Sequence, residues 1–387
     1  MQYNFDRYID RENTNCVKWD YNKEFFGRED VLPMWVADMD FESPPEVKET
    51  ISRYAEHGVY GYFRRSQGYY RSIVDWLQKR HRWQVDRDWI VSTPGVVTAL
   101  NIAIITYTSP GDKVLIQTPV YPPFYNIVRN NKRHLITNSL REENGRYTMD
   151  FEDLETKLKD DVKMMILCNP HNPIGRVWTR EELEKLCALC HKYRVLLVSD
   201  EIHSDIVYDD HQHIPIASLC ADMLENSITC IAPSKTFNVA GLEESATIIP
   251  NDELRGQFKL TMEKVGIGGG NIFGVAALEA AYTYGKQWLD KLLVYLQGNL
   301  NYLDEQLKNS SSGVKFYMPE GTYLVWLDFR STGLLGDELF RFIVDEAKLG
   351  LNDGRSFGGE GNGFMRMNIA CPRSILEEGV DRLLRVL

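Results

Sequence analysis

The chain has 387 residues, more than one average domain but short enough for two that share a core. Hydrophobic residues make up 43% and charged residues 26%, an ordinary globular composition that argues against long disorder. Asp and Glu total 55 against 44 Lys and Arg, a formal balance of −11 with no basic block to offset it, so a nucleic-acid partner is not expected.

The opening residues Met1–Arg7 lack the apolar centre of a secretion signal, and no uninterrupted apolar stretch reaches spanning length. A cytoplasmic protein with no membrane partner is expected. Short apolar or β-branched runs predict strands at Trp89–Ser92, Lys113–Gln117, Lys163–Cys168, Val195–Ser199, Ser227–Ala232 and Ser245–Ile249. Helical patterns fill most of the intervals. In one of them, Thr179-Arg180-Glu181-Glu182 is a capping box, and Leu183, Leu186, Cys187 and Cys190 recur at helical spacing. Cys187 and Cys190 form a C-x-x-C followed by His191, but the trio sits mid-helix with no second ligand pair, so it reads as a packed face. His211 and His213, in a polar turn, are likewise read as ordinary.

The run Val195–Val198 is continuously apolar, as expected where both faces of a sheet are covered. Together these patterns predict an α/β domain with a mostly parallel central sheet. Beyond Asn271, Gly274–Tyr284 and Trp288–Leu307 read as one long or one broken helix. A strand over Thr322–Phe329, a helix over Asp337–Lys348 and a terminal helix over Arg373–Val386 follow. The expected division is a large domain over 45–284 and a smaller α+β domain built from 1–44 and 285–387.

Candidate chemistry clusters just after the predicted strands, where open α/β sheets collect ligands. Gly95-Val96-Val97 opens a helix whose free amides suit a phosphate, although Thr-Pro-Gly turns before helices are common. Tyr121 suits stacking on a ring or a place in the core. Asn172 lies in a Pro-bounded turn. Asp200 closes an apolar strand, an expensive place for an anion without a partner; a pyridinium N–H, a helix cap or a divalent ion shared with Glu201 and His203 are all open. Ser234-Lys235 follows in a short turn, and a lysine amine condenses with an aldehyde to a Schiff base, the alternative being a solvated loop lysine. Arg366 stands in an alternating run and suits either a substrate carboxylate or a surface ion pair.

Asn169-Pro170-His171-Asn172-Pro173-Ile174-Gly175, then Asp200-Glu201-Ile202-His203, then Ser234-Lys235, resemble the fold-type I enzymes of the aspartate aminotransferase superfamily, which use pyridoxal 5'-phosphate (PLP). Leu32–Phe41, His57–Tyr62, Ser199–His203, Ser234–Leu242 and Arg366–Pro372 resemble the narrower MalY/PatB-type cystathionine β-lyases. The resemblance implies a C–S lyase that splits cystathionine or cysteine conjugates to a thiol, pyruvate and ammonia, and a homodimer with shared active sites. It implies Lys235 as the Schiff-base lysine and base at Cα, Asp200 on the pyridine nitrogen, Asn172 and His203 near the phenolic oxygen, and Tyr121 stacked on the ring. Val96, Val97 and Ser234 hold the phosphate, aided by Tyr62 from the other subunit. Arg366 binds the substrate carboxylate, with the Ala37 backbone nearby.

Many relatives carry an arginine eight residues after the lysine; here Glu243 occupies that position, next to Glu244. Glu243 is expected to turn away from a phosphate or to pair with a cation. An aminotransferase of the same fold is the nearest alternative, and a non-catalytic regulator on the same fold is a more distant one. No metal is expected.

Overall fold

A computed structural model describes residues 3–208 and 210–387. Seven strands form the central sheet: β1 Ile90–Thr93, β2 Lys113–Thr118, β3 His134–Ser139, β4 Val162–Cys168, β5 Leu196–Asp200, β6 Ser227–Ile231 and β7 Ser245–Ile248. Their spatial order is β1-β7-β6-β5-β4-β2-β3. β7 runs antiparallel to both its neighbours, and the β3/β2, β2/β4, β4/β5 and β5/β6 pairs are parallel. The predicted strand bounds shift by one residue at some ends.

The apolar runs are continuous because alternate side chains enter two different cores. Ile116, Met164, Ile166 and Val198 pack on one face with Leu100 and Ile104 of the helix Val96–Tyr107. Leu115, Met165, Leu167 and Leu197 pack on the other face against the helix Arg180–Tyr193. That helix starts where the capping box places it: the Glu182 amide donates to Thr179 Oγ1 at 3.2 Å, and Glu182 Oε2 accepts from the Thr179 amide at 2.9 Å. Cys187 and Cys190 lie in its buried face, while His191 is exposed 3.4 Å from Asp222.

The C-terminal helical stretch is broken, into Ile272–Tyr284 and Lys286–Asn309. Gly285 sits at the break, and a Cβ there would meet the Phe237 ring at 2.4 Å. Close approach to the segment that follows Lys235 therefore demands glycine. A second sheet, antiparallel, orders Leu324–Asp328, Phe364–Asn368 and Asn352–Asp353, with Arg366 opposite both Trp326 and Asn352. The predicted helix over Asp337–Lys348 is α-helical over Gly336–Arg341 and continues as a wider π turn over Phe342–Glu346. Leu32–Pro33 pairs in parallel with Leu349–Gly350, so the N-terminal segment joins the C-terminal region. Among the described residues no helix is long and apolar enough to cross a membrane.

Candidate active site

The strand order reverses between β2 and β4, so the connections leaving their carboxyl ends diverge and open a crevice. A cavity of about 400 Å³ occupies it, lined by Val96, Tyr121, Asn172, Asp200, His203 and Lys235 among others. Residues that sequence spacing places after five separate strands thus meet at one place. Wider grooves of about 570 and 700 Å³ run among surface helices, but none of the candidate residues lines them.

Lys235 stands on a four-residue helix, Pro233–Thr236, rather than in the open turn expected from sequence. The proline at its start has no amide to leave unpaired there. Lys235 Nζ donates to the Ala37 carbonyl at 2.7 Å. Burial pushes its pKa down to about 8, with Asp38 and Asp200 pulling upward and Arg366 downward. Asp200 moves the opposite way. Burial raises its pKa to about 7, and the Ile202 amide, donating at 3.1 Å, only partly counters this. Asp200 has no ion pair among the described residues. It is a carboxylate in want of a cation.

His203 is buried, its Nδ1 lacks a partner among the described residues, and burial first, then Lys235 and Arg366, hold its pKa down to about 3. The Tyr121 phenol is raised by burial and by the Asp200 charge. At one end of the cavity Val96 and Val97 start the helix behind Gly95, whose φ of 90° suits glycine. The first amides of that helix have no intrahelical acceptor. Ser234 borders the same cavity.

Arg366 lies in the centre of the second sheet. Its Nη1 donates to Asn172 Oδ1 at 3.1 Å and its Nη2 to the Trp35 carbonyl at 2.8 Å. The guanidinium lies over the Phe357 ring at 4.9 Å. Burial lowers its pKa to about 10, so it stays cationic at neutral pH. Its buried Nε has no partner among the described residues, leaving a donor for an incoming carboxylate.

The family model for aminotransferase class I and II matches residues 29–383. The chain belongs to that family. It is 47% identical to cystathionine beta-lyase PatB of Bacillus subtilis over 98% of both chains. It is 33% identical to protein MalY of Escherichia coli over 100% of this chain and 99% of that one. Its fold matches cystalysin of Treponema denticola, a structure containing pyridoxal 5'-phosphate, with a TM-score of 0.97 and 35% identity over 100% and 99% of the two chains.

The structure narrows three sequence readings around this aminotransferase-family site. Of the two outcomes expected for Glu243, pairing with a cation does not occur among the described residues: it is exposed in a left-handed conformation at the border of the cavity. Its neighbour Glu244 is the buried, paired acid, accepting from Arg65 Nε at 3.2 Å and from the Tyr69 and Ser92 hydroxyls at 2.7 Å each. His213 is not an ordinary turn residue either; it is buried, with Nε2 2.8 Å from Glu201 Oε2. That contact, with bonds from the Ser199 hydroxyl and the Ile216 amide, turns Glu201 away from Asp200. A shared metal trio of Asp200, Glu201 and His203 therefore does not form, and no other such cluster occurs among the described residues.

Tyr62 is fully exposed, and the single chain does not bring it to the cavity. Sequence reasoning missed Tyr323, which donates to the Ala37 carbonyl at 3.0 Å, and Asn368, whose side chain bonds the Val36 carbonyl at 2.6 Å. Asn368 was within reach: it lies two residues beyond Arg366 in an alternating strand and so projects to the same side.

Proposed function

We propose that the chain is a PLP-dependent carbon–sulfur β-lyase, cleaving L-cystathionine or a related cysteine S-conjugate to a thiol, pyruvate and ammonia. One observation carries the reading: a single cavity holds a lysine pushed down to about 8 and a carboxylate pushed up to about 7, neither of them in an ion pair among the described residues. A ligand bearing an aldehyde, a ring cation and a phosphate answers every open group at once. Lys235 takes the aldehyde, Asp200 the ring nitrogen, and the first-turn amides at Val96 and Val97 with the Ser234 hydroxyl take the phosphate. Asn172 and His203 serve the phenolic oxygen, and Tyr121 is the stacking partner.

Bound there, PLP supplies an electron sink for the charge left at a substrate's Cα when its proton is removed. Arg366 fixes the α-carboxylate, with Asn172 and the Ala37 backbone beside it. Lys235 receives the Cα proton on Nζ; its lowered proton affinity keeps a useful fraction of free amine near neutral pH. Asp200, buried and ionised, holds the cofactor's ring nitrogen protonated. The thiolate leaves from Cβ, and one water completes the conversion to pyruvate and ammonia.

Transamination shares the family and the first proton removal. The lyase reading is favoured by the 47% identity to a cystathionine beta-lyase. It is favoured also by the cavity lining, which among the described residues includes no arginine; Arg366 reaches the cavity by way of Asn172, and no further arginine borders it there to take a second carboxylate. Incubation with L-cystathionine separates the two. Thiol and pyruvate released without a 2-oxo acid is the expected result, and strict dependence on the oxo acid would assign the chain to transamination.

The same reading makes the protein a cytoplasmic homodimer with shared active sites, divided into a large domain over 45–284 and a small one over 1–44 and 285–387. Val59, Tyr60 and Tyr62 stand exposed on one segment, which connects through Arg65 to the cavity-lining Glu244. A second subunit covers that segment and receives Tyr62 at its phosphate site. All seven cysteines are free thiols, in keeping with a reducing compartment.

A further inference from the structure

The carbonyl that receives the Lys235 amine belongs to a segment, Trp35–Phe41, with no regular secondary structure of its own. It is fastened from three directions. From the lysine side, Asn238 accepts from the Met39 amide at 3.0 Å and donates to the Met39 and Phe41 carbonyls at 2.9 and 2.8 Å. From the second sheet, Arg366 holds the Trp35 carbonyl and Asn368 the Val36 and Asp38 carbonyls. The third fastening comes from the N-terminal segment. Arg11 grips the Asp38 carboxylate through two bonds, Nη1 to Oδ1 at 3.1 Å and Nη2 to Oδ2 at 2.6 Å. Its Nη1 also donates to the Met39 carbonyl at 3.1 Å and to Asp40 Oδ1 at 2.7 Å.

Asp40 is itself held by Lys18 and by Trp19 Nε1 at 3.0 Å. Its burial works against the charge, but Lys18, Trp19 and Arg11 outweigh it and keep the carboxyl below its ordinary pKa. The segment beside Lys235 therefore carries two carboxylates whose counter-charges all come from residues 11–19. Asp38 is the exposed-side member, with about a fifth of its side chain accessible, a fork of hydrogen bonds from Arg11, and the Lys18 ammonium farther off at 3.8 Å from its Oδ1.

We propose that Arg11 and Asp38 are positioning residues for Lys235: the fork sets the place of the Ala37 carbonyl, and the balance of the two charges sets how readily the Lys235 nitrogen holds a proton. This rests on the reading of Lys235 as the cofactor lysine. Groups of both signs face that nitrogen. Asp38 comes from the 35–41 segment, Asp200 from the end of β5, and Arg366 from the second sheet, with His203 and the phenols of Tyr121 and Tyr323 around them. Asp38 is the foremost anion acting on Lys235, and it is the one whose charge a removable partner offsets. The chemistry needs this adjustment, because the lysine must take a proton and return it within one turnover.

The test uses the cofactor-loaded full chain and two readings, the pH midpoint of its visible absorbance and the pH profile of kcat/KM. Arg11→Ala leaves Asp38 only the more distant Lys18 as a counter-charge and is expected to raise both midpoints, by roughly half a pH unit. Asp38→Asn removes the anion and is expected to lower them by a similar amount. Arg11→Lys keeps the charge but loses the fork; its midpoints stay near wild type while KM rises. Opposite shifts for Arg11→Ala and Asp38→Asn support the assignment, because loosening of the loop alone moves both variants the same way. Shifts of one sign, no shift in either variant, or Arg11→Lys moving as far as Arg11→Ala would overturn it. A wild-type chain that gains no visible absorbance with PLP would instead remove the Lys235 reading beneath it.

Discussion

Asp200 and Asp205 lie at the two ends of one short turn, both buried, and their surroundings are opposite. Asp205 faces the interior and is fully provided for. Trp76 Nε1 reaches it at 3.0 Å, His81 Nε2 at 2.8 Å and the Thr236 hydroxyl at 2.8 Å. Burial opposes its charge, yet these partners keep its pKa below the ordinary value. Asp200 faces the cavity with one backbone amide and has its pKa raised. A buried carboxylate is normally satisfied by the protein around it. One left open beside a cavity marks where a ligand's cation belongs. The contrast separates a carboxylate that supports the fold from one kept for chemistry, at the expense of stability.

The largest expected effect lies on the cavity side. Lys235→Ala should reduce pyruvate release by at least about a thousandfold, because among the described residues no other amine lines the cavity to replace it. Asp200→Ala should weaken cofactor binding and lower kcat by roughly a hundredfold or more, read by absorbance titration and steady-state rates. Asp205→Ala should do the reverse: it leaves His81, Trp76 and Thr236 facing an unfilled place and should cost roughly 3 kcal/mol or more in chemical denaturation. If the two alanine variants lost the same property, the contrast would collapse.

Arg366→Lys comes next in size. It retains charge but not the fork, so kcat/KM for cystathionine should fall about tenfold or more, chiefly through KM. The smallest effect sharpens the comparison by pH. Asp200 has a raised folded-state pKa, so the stability it contributes is fully present below the ordinary carboxylate pKa and is lost as pH rises through about 7. Without added PLP, Asp200→Asn should therefore melt higher than wild type near about pH 8, with the difference shrinking as pH falls and closing only below about pH 4. Asp205, with a lowered pKa, has the opposite dependence: its contribution persists at neutral pH and fades as pH falls through the carboxylate range.

Much of this was readable from the sequence where the signal is local. Strand ends, the Thr179 capping box and the gathering of Val96, Tyr121, Asn172, Asp200 and Lys235 at one sheet edge follow from periodicity and strand polarity. Contacts made through backbone atoms were not readable in this way. The acceptor for Lys235 is a carbonyl 198 residues away, and a carbonyl carries no residue identity. The choice between Glu243 and Glu244 as the buried acid depended on which of two adjacent side chains meets Arg65, Tyr69 and Ser92, a question of local backbone direction that composition does not encode. His213 was legible only as a polar turn residue because its partner, Glu201, is buried from the other side.

Borohydride reduction of the PLP-loaded chain, followed by peptide mass analysis, tests the central claim most directly. The expected result is loss of the visible absorbance, with the cofactor's mass fixed on the peptide containing Lys235 and absent when Asp200 is replaced and binding is lost. Cofactor mass on a different lysine, or none retained at saturating PLP, would contradict it.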